Sequence, residues 1–314
     1  MAHSGDAPAG HAEDDRAVAA AAAEQPRRSN VDDPVRNTGH ERTAAPAPAS
    51  VVWIDDPGDP RVSDYVHLAD PETRRRRERD ELFVAEGITA IERLLASDHV
   101  VRSLLLTPPA YGRLAGHLGA TTAPVYLAPR AVLRATVGFD LHRGAVASAH
   151  RQPLPDLDAA VRTAHRVVVL EGLNDPENLG AIARSARALG IDAAVLDATC
   201  IDPYYRRTVR VSMGEILFLP TARASDWPSD LHRLRALGFE LWALTPGDTA
   251  TSIWDISVPD RVAVMLGAEG PGLSPAALAA ADRLVRIPIR ADVDSLNVGH
   301  AAAVTFAALD RTPS

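Results

Sequence analysis

The stretch LEGLNDPENLGAIARSARALG, Leu170–Gly190, reads as the end of a strand, a turn and a helix. The apolar run RVVVL enters it, Asn174, Asp175 and Pro176 turn the chain, and AIARSARALG continues as a helix. Asn178 is placed to cap that helix, whose exposed amides favour an anion. Arg184 follows inside the helix, at a position where an apolar sheet face would ask for Leu. Alone, the segment is equally an ordinary strand-turn-helix with a solvated arginine.

Working outward, the same rhythm fills the C-terminal half. AAVLD, ILFLP, ELWALTP, VAVMLGAEG and VRIPI read as strands, and LHRLRALG, AALAAADRL and NVGHAAAVTFAAL as helices. Continuous apolar strands alternating with helices predict a mainly parallel sheet covered on both faces. Ligands of such sheets sit in loops at the carboxyl ends of the strands. Residues 51–150 read as a smaller α/β domain, with strands in ELFVAEG, VVRSLLL, APVYLAP and GAVASAH and a helix carrying Ile88, Ile91, Leu94 and Leu95. Residues 151–165 are expected to link it to a domain at 166–314. Residues 1–50 are rich in Ala, Pro, Asp, Glu and Arg without apolar periodicity and are expected to be a disordered tail, ending in the stiff segment TAAPAPAS.

Composition removes several kinds of chemistry. The chain has 314 residues and 46% hydrophobic content, enough for two cores. All 33 basic residues are arginine, so a P-loop lysine, a Schiff-base lysine and a lysine general base are excluded. One cysteine, Cys200, rules out an internal disulfide and a Cys-rich zinc site, no His-Glu-x-x-His pair replaces the latter, and no metal is expected. Cys200 reads as a core thiol. No apolar run approaches the roughly 20 residues of a membrane helix, and the N-terminus has no basic segment followed by an apolar core, so the expected location is the cytoplasm. A net charge of −8 argues against a generic nucleic-acid coat but allows a local basic surface.

Two further constellations lie at strand ends. In MLGAEGPGLS, Met265–Ser274, three glycines let the backbone approach a ligand closely and Glu269 adds one charge. The loop lacks the Gly-Lys-Ser/Thr ending of a Walker loop, and it follows a late strand where a dinucleotide fingerprint follows the first. In IPIRADVDSLNVGHAAAV, Ile287–Val304, Pro288 fixes the chain after a strand and Ser295 and Asn297 offer hydroxyl and amide groups. The small residues Gly299–Ala303 then let a helix pack against another backbone.

These three motifs together, NDPENLGAIARSARALG, MLGAEGPGLS and IPIRADVDSLNVGHAAAV, resemble the SpoU (TrmH-like) branch of the SPOUT RNA methyltransferases across about residues 166–310. The upstream segment containing FVAEGITAIERLL is similar to the ribosomal L30-like substrate-binding domain that many members carry. The resemblance implies a C-terminal parallel sheet with a deep trefoil knot, S-adenosylmethionine as cofactor and a homodimer. It implies that Leu244, Gly267, Ile287 and Leu296 hold the cofactor, largely through backbone groups. Asn178, Arg184, Glu269, Ser295 and Asn297 match the polar active-site positions. Many members read Asn-Val-Ser and an apolar residue where this chain has Asn-Val-Gly-His, Asn297–His300, so one hydroxyl is missing.

The implied reaction is methylation of a ribose 2′-hydroxyl, in ribosomal RNA first and transfer RNA second. The family role of the arginine matching Arg184 is to activate that hydroxyl. A guanidinium stays protonated below pH of about 12, which favours an orienting, charge-stabilising role for Arg184. RRRRER (Arg74–Arg79) and YYRRTVR (Tyr204–Arg210) offer arginines for RNA, the latter with aromatics able to stack on bases. A non-catalytic RNA-binding protein on this scaffold would be expected to lose Asn178, Arg184 or the glycine loop, and a Rossmann oxidoreductase would need glycines that VVVLEGLNDPEN does not supply.

Overall fold

The computed structural model describes residues 50–68, 70, 72, 82–141, 143–247 and 249–309, so the expected tail, apart from Ser50, and the run Arg74–Arg79 lie outside the described residues. These residues form two compact units. One holds the chain up to Leu82 together with Asp98–His150, and the other holds Phe83–Ser97 and the chain from Arg151 onward.

The strands in chain order are β1 (Val51–Trp53), β2 (Leu82–Glu86), β3 (Val101–Leu106), β4 (Val125–Leu127), β5 (Ala145–His150), β6 (Arg166–Glu171), β7 (Ala193–Leu196), β8 (Thr221–Arg223), β9 (Glu240–Leu244), β10 (Thr251–Ser252), β11 (Val262–Gly267) and β12 (Arg283–Arg286). The helices are α1 (Ile88–Ala96), α2 (Pro108–Leu114), α3 (Arg130–Val137), α4 (Leu157–Val161), α5 (Pro176–Ala188), α6 (Arg206–Val211), α7 (Ser229–Ala236), α8 (Pro275–Ala280) and α9 (Val298–Leu309).

In the first unit the strands run in the order β1-β4-β3-β5, with β1, β4 and β3 parallel and β5 antiparallel to β3. The Tyr65 ring is fully buried there, and its hydroxyl donates to the Ser103 carbonyl at 2.7 Å, so the one polar atom of a large core side chain is satisfied.

The second unit carries a wholly parallel sheet in the order β10-β12-β9-β11-β6-β7-β8. Its central strands explain the apolar runs: β6 reads RVVVLE and is buried from Val167 onward, as a strand covered on both faces must be. Every strand of this sheet points the same way, so the ends of β6, β9, β11 and β12 lie along one edge, and the odd residues of the sequence follow those ends.

Three local expectations change. The segment 151–165 is structured: α4 places Leu157, Ala160 and Val161 in the core beside β6 and β7. ILFLP does not form a strand, because Gly214 turns the chain at φ +83°, a tight 3-10 turn spans Glu215–Phe218, and β8 starts only after Pro220. The Pro220 carbonyl still serves the sheet, accepting from Ala194 N at 2.8 Å. Asn178 is not the cap of α5. Asp175 is, accepting from Glu177 N at 2.9 Å, and Pro176 occupies the first helical position, where its missing N–H costs nothing.

Helix α5 owes its position to small residues. A Cβ at Gly180 would lie 2.7 Å from Val211 Cβ and 3.0 Å from the Thr208 carbonyl, so only glycine lets α5 and α6 approach this closely. On its other side α5 meets α9, where a Cβ at Gly299 would lie 3.4 Å from Ala181 Cβ.

Candidate active site

A cavity of about 440 Å³ opens at the carboxyl edge of the second sheet, between the loops that follow β9, β11 and β12. Leu244, Gly267, Ile287 and Leu296 all line it. Glu269, Ser295 and Asn297 line it as well. The sequence did not single out Thr245 and Pro246, which also line it and occupy the turn that ends β9; the Thr-Pro-Gly string after an apolar strand is the signal that marks them.

Gly267 shows why the wall is backbone. A Cβ there would stand 2.1 Å from the Gly272 carbonyl carbon and 2.3 Å from Leu273 N. The loop folds back against its own start, held by Gly272 N donating to Ala268 O at 3.0 Å, with Gly270 and Gly272 at φ +88° and +69°. The lining therefore offers amides, carbonyls, apolar side chains and the polar groups of Thr245, Ser295 and Asn297, and Glu269 is its one titratable side chain among the described residues.

Asn297 organises the polar side. Its Oδ1 accepts from Gly299 N at 2.9 Å and His300 N at 3.3 Å, capping the first turn of α9. Its Nδ2 donates to Asn178 Oδ1 at 3.0 Å and to Glu269 Oε1 at 2.6 Å. Both ends of one amide are thus used, and three motifs far apart in sequence meet on it. Asn178 reaches the site only through this bond; it is buried in the first turn of α5 and does not line the cavity.

Arg184 stands apart. It lies on α5 six residues beyond Asn178, about 9 Å further along the helix axis, is exposed, and forms no ion pair among the described residues. An exposed guanidinium at this distance from the polar cluster is open to a phosphate.

Part of the stretch Tyr204–Arg210 is engaged within the protein, while the Arg207 and Arg210 side chains stay about half exposed. Tyr204 is buried, stacks on Phe83 with centroids 5.1 Å apart, and lies under the Arg151 guanidinium at 5.0 Å, so it is not available to stack on a base. Arg206 and Arg210 both pair with Glu86, and Arg207 pairs with Glu177. Cys200 is a core thiol that donates to the Leu170 carbonyl at 3.2 Å, and burial, reinforced by the Asp197 carboxylate, pushes it up to about 12. Among the described residues no group of three or more His, Cys, Asp or Glu could hold a metal ion, and no helix is long and apolar enough to cross a membrane.

A parallel α/β sheet with a backbone-walled cavity at its carboxyl edge and an Asn-Asn-Glu cluster beside it defines a ligand-binding enzyme domain. Residues 165–307 match the model of the SpoU rRNA Methylase family. An uncharacterized tRNA/rRNA methyltransferase of Mycobacterium tuberculosis is 43% identical over 257 residues, spanning 81% of this chain and 89% of that protein. The 23S rRNA (guanosine(2553)-2′-O)-methyltransferase RlmP of Bacillus subtilis is 28% identical over 244 residues, 78% of this chain and 93% of its own. The AdoMet-bound rRNA methyltransferase of Sinorhizobium meliloti superposes with a TM-score of 0.69 at 26% identity, covering 82% of this chain and 97% of that one. The chain belongs to the SpoU family of RNA methyltransferases.

Proposed function

We propose that this protein transfers a methyl group from S-adenosylmethionine to a ribose 2′-hydroxyl of ribosomal RNA. The observation that carries the reading is the joining of Asn178, Glu269 and Asn297 by one amide at the rim of a cavity lined by Leu244, Gly267, Ile287 and Leu296. The cavity suits the cofactor in size and in lining, with main-chain groups for a polar ligand and apolar side chains for its ring. The relatives named for ribosomal RNA, and the 2′-O position in the name of the Bacillus subtilis protein, support the substrate.

Bound S-adenosylmethionine supplies an electrophilic methyl group. Leu244, Gly267, Ile287 and Leu296 hold it, chiefly through backbone groups. Arg184, permanently protonated, grips the ribose-phosphate and lines up the hydroxyl, a positioning effect that also stabilises developing negative charge. Glu269 is the lining residue able to take the proton, and Asn297 fixes one of its oxygens. Ser295 adds a hydroxyl at the same wall.

The same reading includes a deep trefoil knot formed by the chain after β12 together with α9. The late insertion of β11 between β9 and β6, and of β12 between β9 and β10, supports it. It assigns residues 51–150, apart from Phe83–Ser97, which belong to the second unit, to RNA choice as a ribosomal L30-like domain and residues 166–314 to catalysis, and places the protein in the cytoplasm. It also includes a homodimer. Half-buried Ala301, Ala303 and Val304 on α9, a helix apolar nearly all round, support a second copy packing there.

The test is methyl transfer from labelled S-adenosylmethionine to purified 23S rRNA, 16S rRNA and tRNA, followed by digestion to nucleosides. A labelled 2′-O-methylnucleoside from ribosomal RNA is expected. Label on a base defeats the 2′-O reading, label confined to tRNA moves the substrate, and cofactor binding without transfer to any RNA favours a non-catalytic RNA-binding role.

A further inference from the structure

One buried carboxylate has been given no role among the site residues and yet reaches both ends of the glycine loop. Glu171 is the last residue of β6 and only 9% exposed. Its register partner across the sheet is Gly267, the first residue of the glycine loop. Its Oε2 accepts from Ser274 N at 2.8 Å, at the other end of that loop, and its Oε1 accepts from the Trp227 indole Nε1 at 2.7 Å. Ser274 is itself fixed, because its Oγ caps α8 by accepting from Ala277 N at 3.2 Å.

The loop between these two points has little stiffness of its own. It carries glycines at 270 and 272, both at positive φ, and glycine is the residue with most backbone freedom to lose. Yet Gly267, Glu269, Gly270 and Gly272 line the cavity, and a backbone-walled site works only if its amides and carbonyls stay in place. Strand pairing fixes the start of the loop at Gly267, and the Glu171 carboxylate fixes its end at Ser274. Trp227 holds the second oxygen, so the carboxylate cannot swing away from Ser274 without giving up an indole hydrogen bond. Gly172, at φ +72°, completes the arrangement: a Cβ there would lie 3.3 Å from Ala268 Cβ, so the chain leaving Glu171 passes directly beneath the loop.

We propose that Glu171 is a positioning residue for the cofactor site: it touches no substrate, and it sets the Gly267–Ser274 loop in its binding conformation by clamping Ser274 against the end of β6. The proposal rests on the reading of the cavity as the S-adenosylmethionine site.

The experiment is calorimetric titration of S-adenosylmethionine into the full-length protein, with a thermal melt of each variant. Glu171→Gln turns one acceptor oxygen into an NH2 donor, so either Ser274 N–H or the Trp227 indole faces another donor. Glu86→Gln is the matched control, since Glu86 is another carboxylate only 9% exposed whose two oxygens both accept, one from Arg206 and one from Arg210, and none of these residues lines the cavity. Expected is a Kd raised about tenfold or more by Glu171→Gln, against a change within about twofold for Glu86→Gln at a similar loss in melting temperature. Glu171→Gln binding like wild type, or Glu86→Gln weakening binding equally, overturns the proposal. Should Glu171→Gln lose its cooperative melt, Glu171→Asp, which keeps both acceptors but draws them back by one methylene, carries the same expectation and the same refutation. Wild-type protein that binds no S-adenosylmethionine at all refutes the cofactor reading itself, a result distinct from either.

Discussion

Gly267→Ala is the smallest change that tests how the cavity is built. The added methyl carbon would sit 2.1 Å from the Gly272 carbonyl carbon, and 2.3 Å from both the Gly272 oxygen and Leu273 N. Carbon atoms in contact are about 3.5–4.0 Å apart, so the overlap is roughly 1.4 Å or more. All three atoms are main chain, and no rotamer change can clear them. The loop must move outward by about that distance, breaking the Gly272 N to Ala268 O hydrogen bond of 3.0 Å and displacing the wall that carries Glu269 and Gly270. Overpacking of this kind costs about 1–3 kcal/mol, which for a domain of this size lowers the melting temperature by roughly 2–12 °C. The effect on S-adenosylmethionine is larger, because a shift of about 1 Å removes several aligned contacts together: a Kd raised about 100-fold, near 2.7 kcal/mol, is expected. Titration calorimetry and a thermal melt measure both. Gly190→Ala is the control, since its φ of +73° imposes backbone strain but a Cβ there meets nothing within 4 Å. It should cost stability and leave cofactor affinity unchanged. A Gly267→Ala protein that folds and binds the cofactor within about threefold of wild type would show that the loop does not pack on Gly267 as described.

Arg184→Ala should lower methyl transfer by roughly 10² with little change in cofactor affinity, and Arg184→Lys should rescue poorly because a point charge cannot reproduce a planar fork; near-normal turnover in Arg184→Ala sinks the role given to it. Asn297→Asp keeps the oxygen that caps α9 but sets a carboxylate against Glu269, so transfer should fall while the protein still folds. The like charges raise the folded-state pKa of that pair above its unfolded values, so the stability deficit relative to wild type should grow as pH rises from about 4 to 7; a deficit independent of pH in melts across that range contradicts the pairing. Cys200, a buried thiol pushed up to about 12, should react with thiol reagents at pH 8 only on unfolding, and rapid labelling of the native protein would place it elsewhere.

The parallel sheet was legible because each of its long strands is a continuous apolar run, and the cavity followed from it. Leu244 and Gly267 end β9 and β11, and Ile287 directly follows β12, so parallel strands deliver them to one edge whatever the details of the loops. What the sequence hid was pairing at long separation. Asn178 has the composition of a cap, but Asp175 followed by Pro176 takes that role one turn earlier, and the partner that uses the Asn178 oxygen lies 119 residues away. Tyr204–Arg210 has the composition of a nucleic-acid surface, but Glu86, 120 residues upstream of Arg206, takes up two of its charges. Glu171 is one acidic residue at the end of an apolar strand, and its meaning depends on Ser274, 103 residues later. The departure at Gly299 and His300 is resolved by the same logic. The missing hydroxyl leaves no unsatisfied amide, because Asn297 Oδ1 accepts from both Gly299 N and His300 N, and a Cβ at Gly299 would stand only 3.2 Å from that oxygen and 3.4 Å from Ala181. Here α9 packs on α5 beside Ala181, and that packing brings Asn297 within reach of Asn178. The turn-prone residues before the tight C-terminal helix are there because one of them, Asn297, must cap that helix and join the other two motifs with a single side chain.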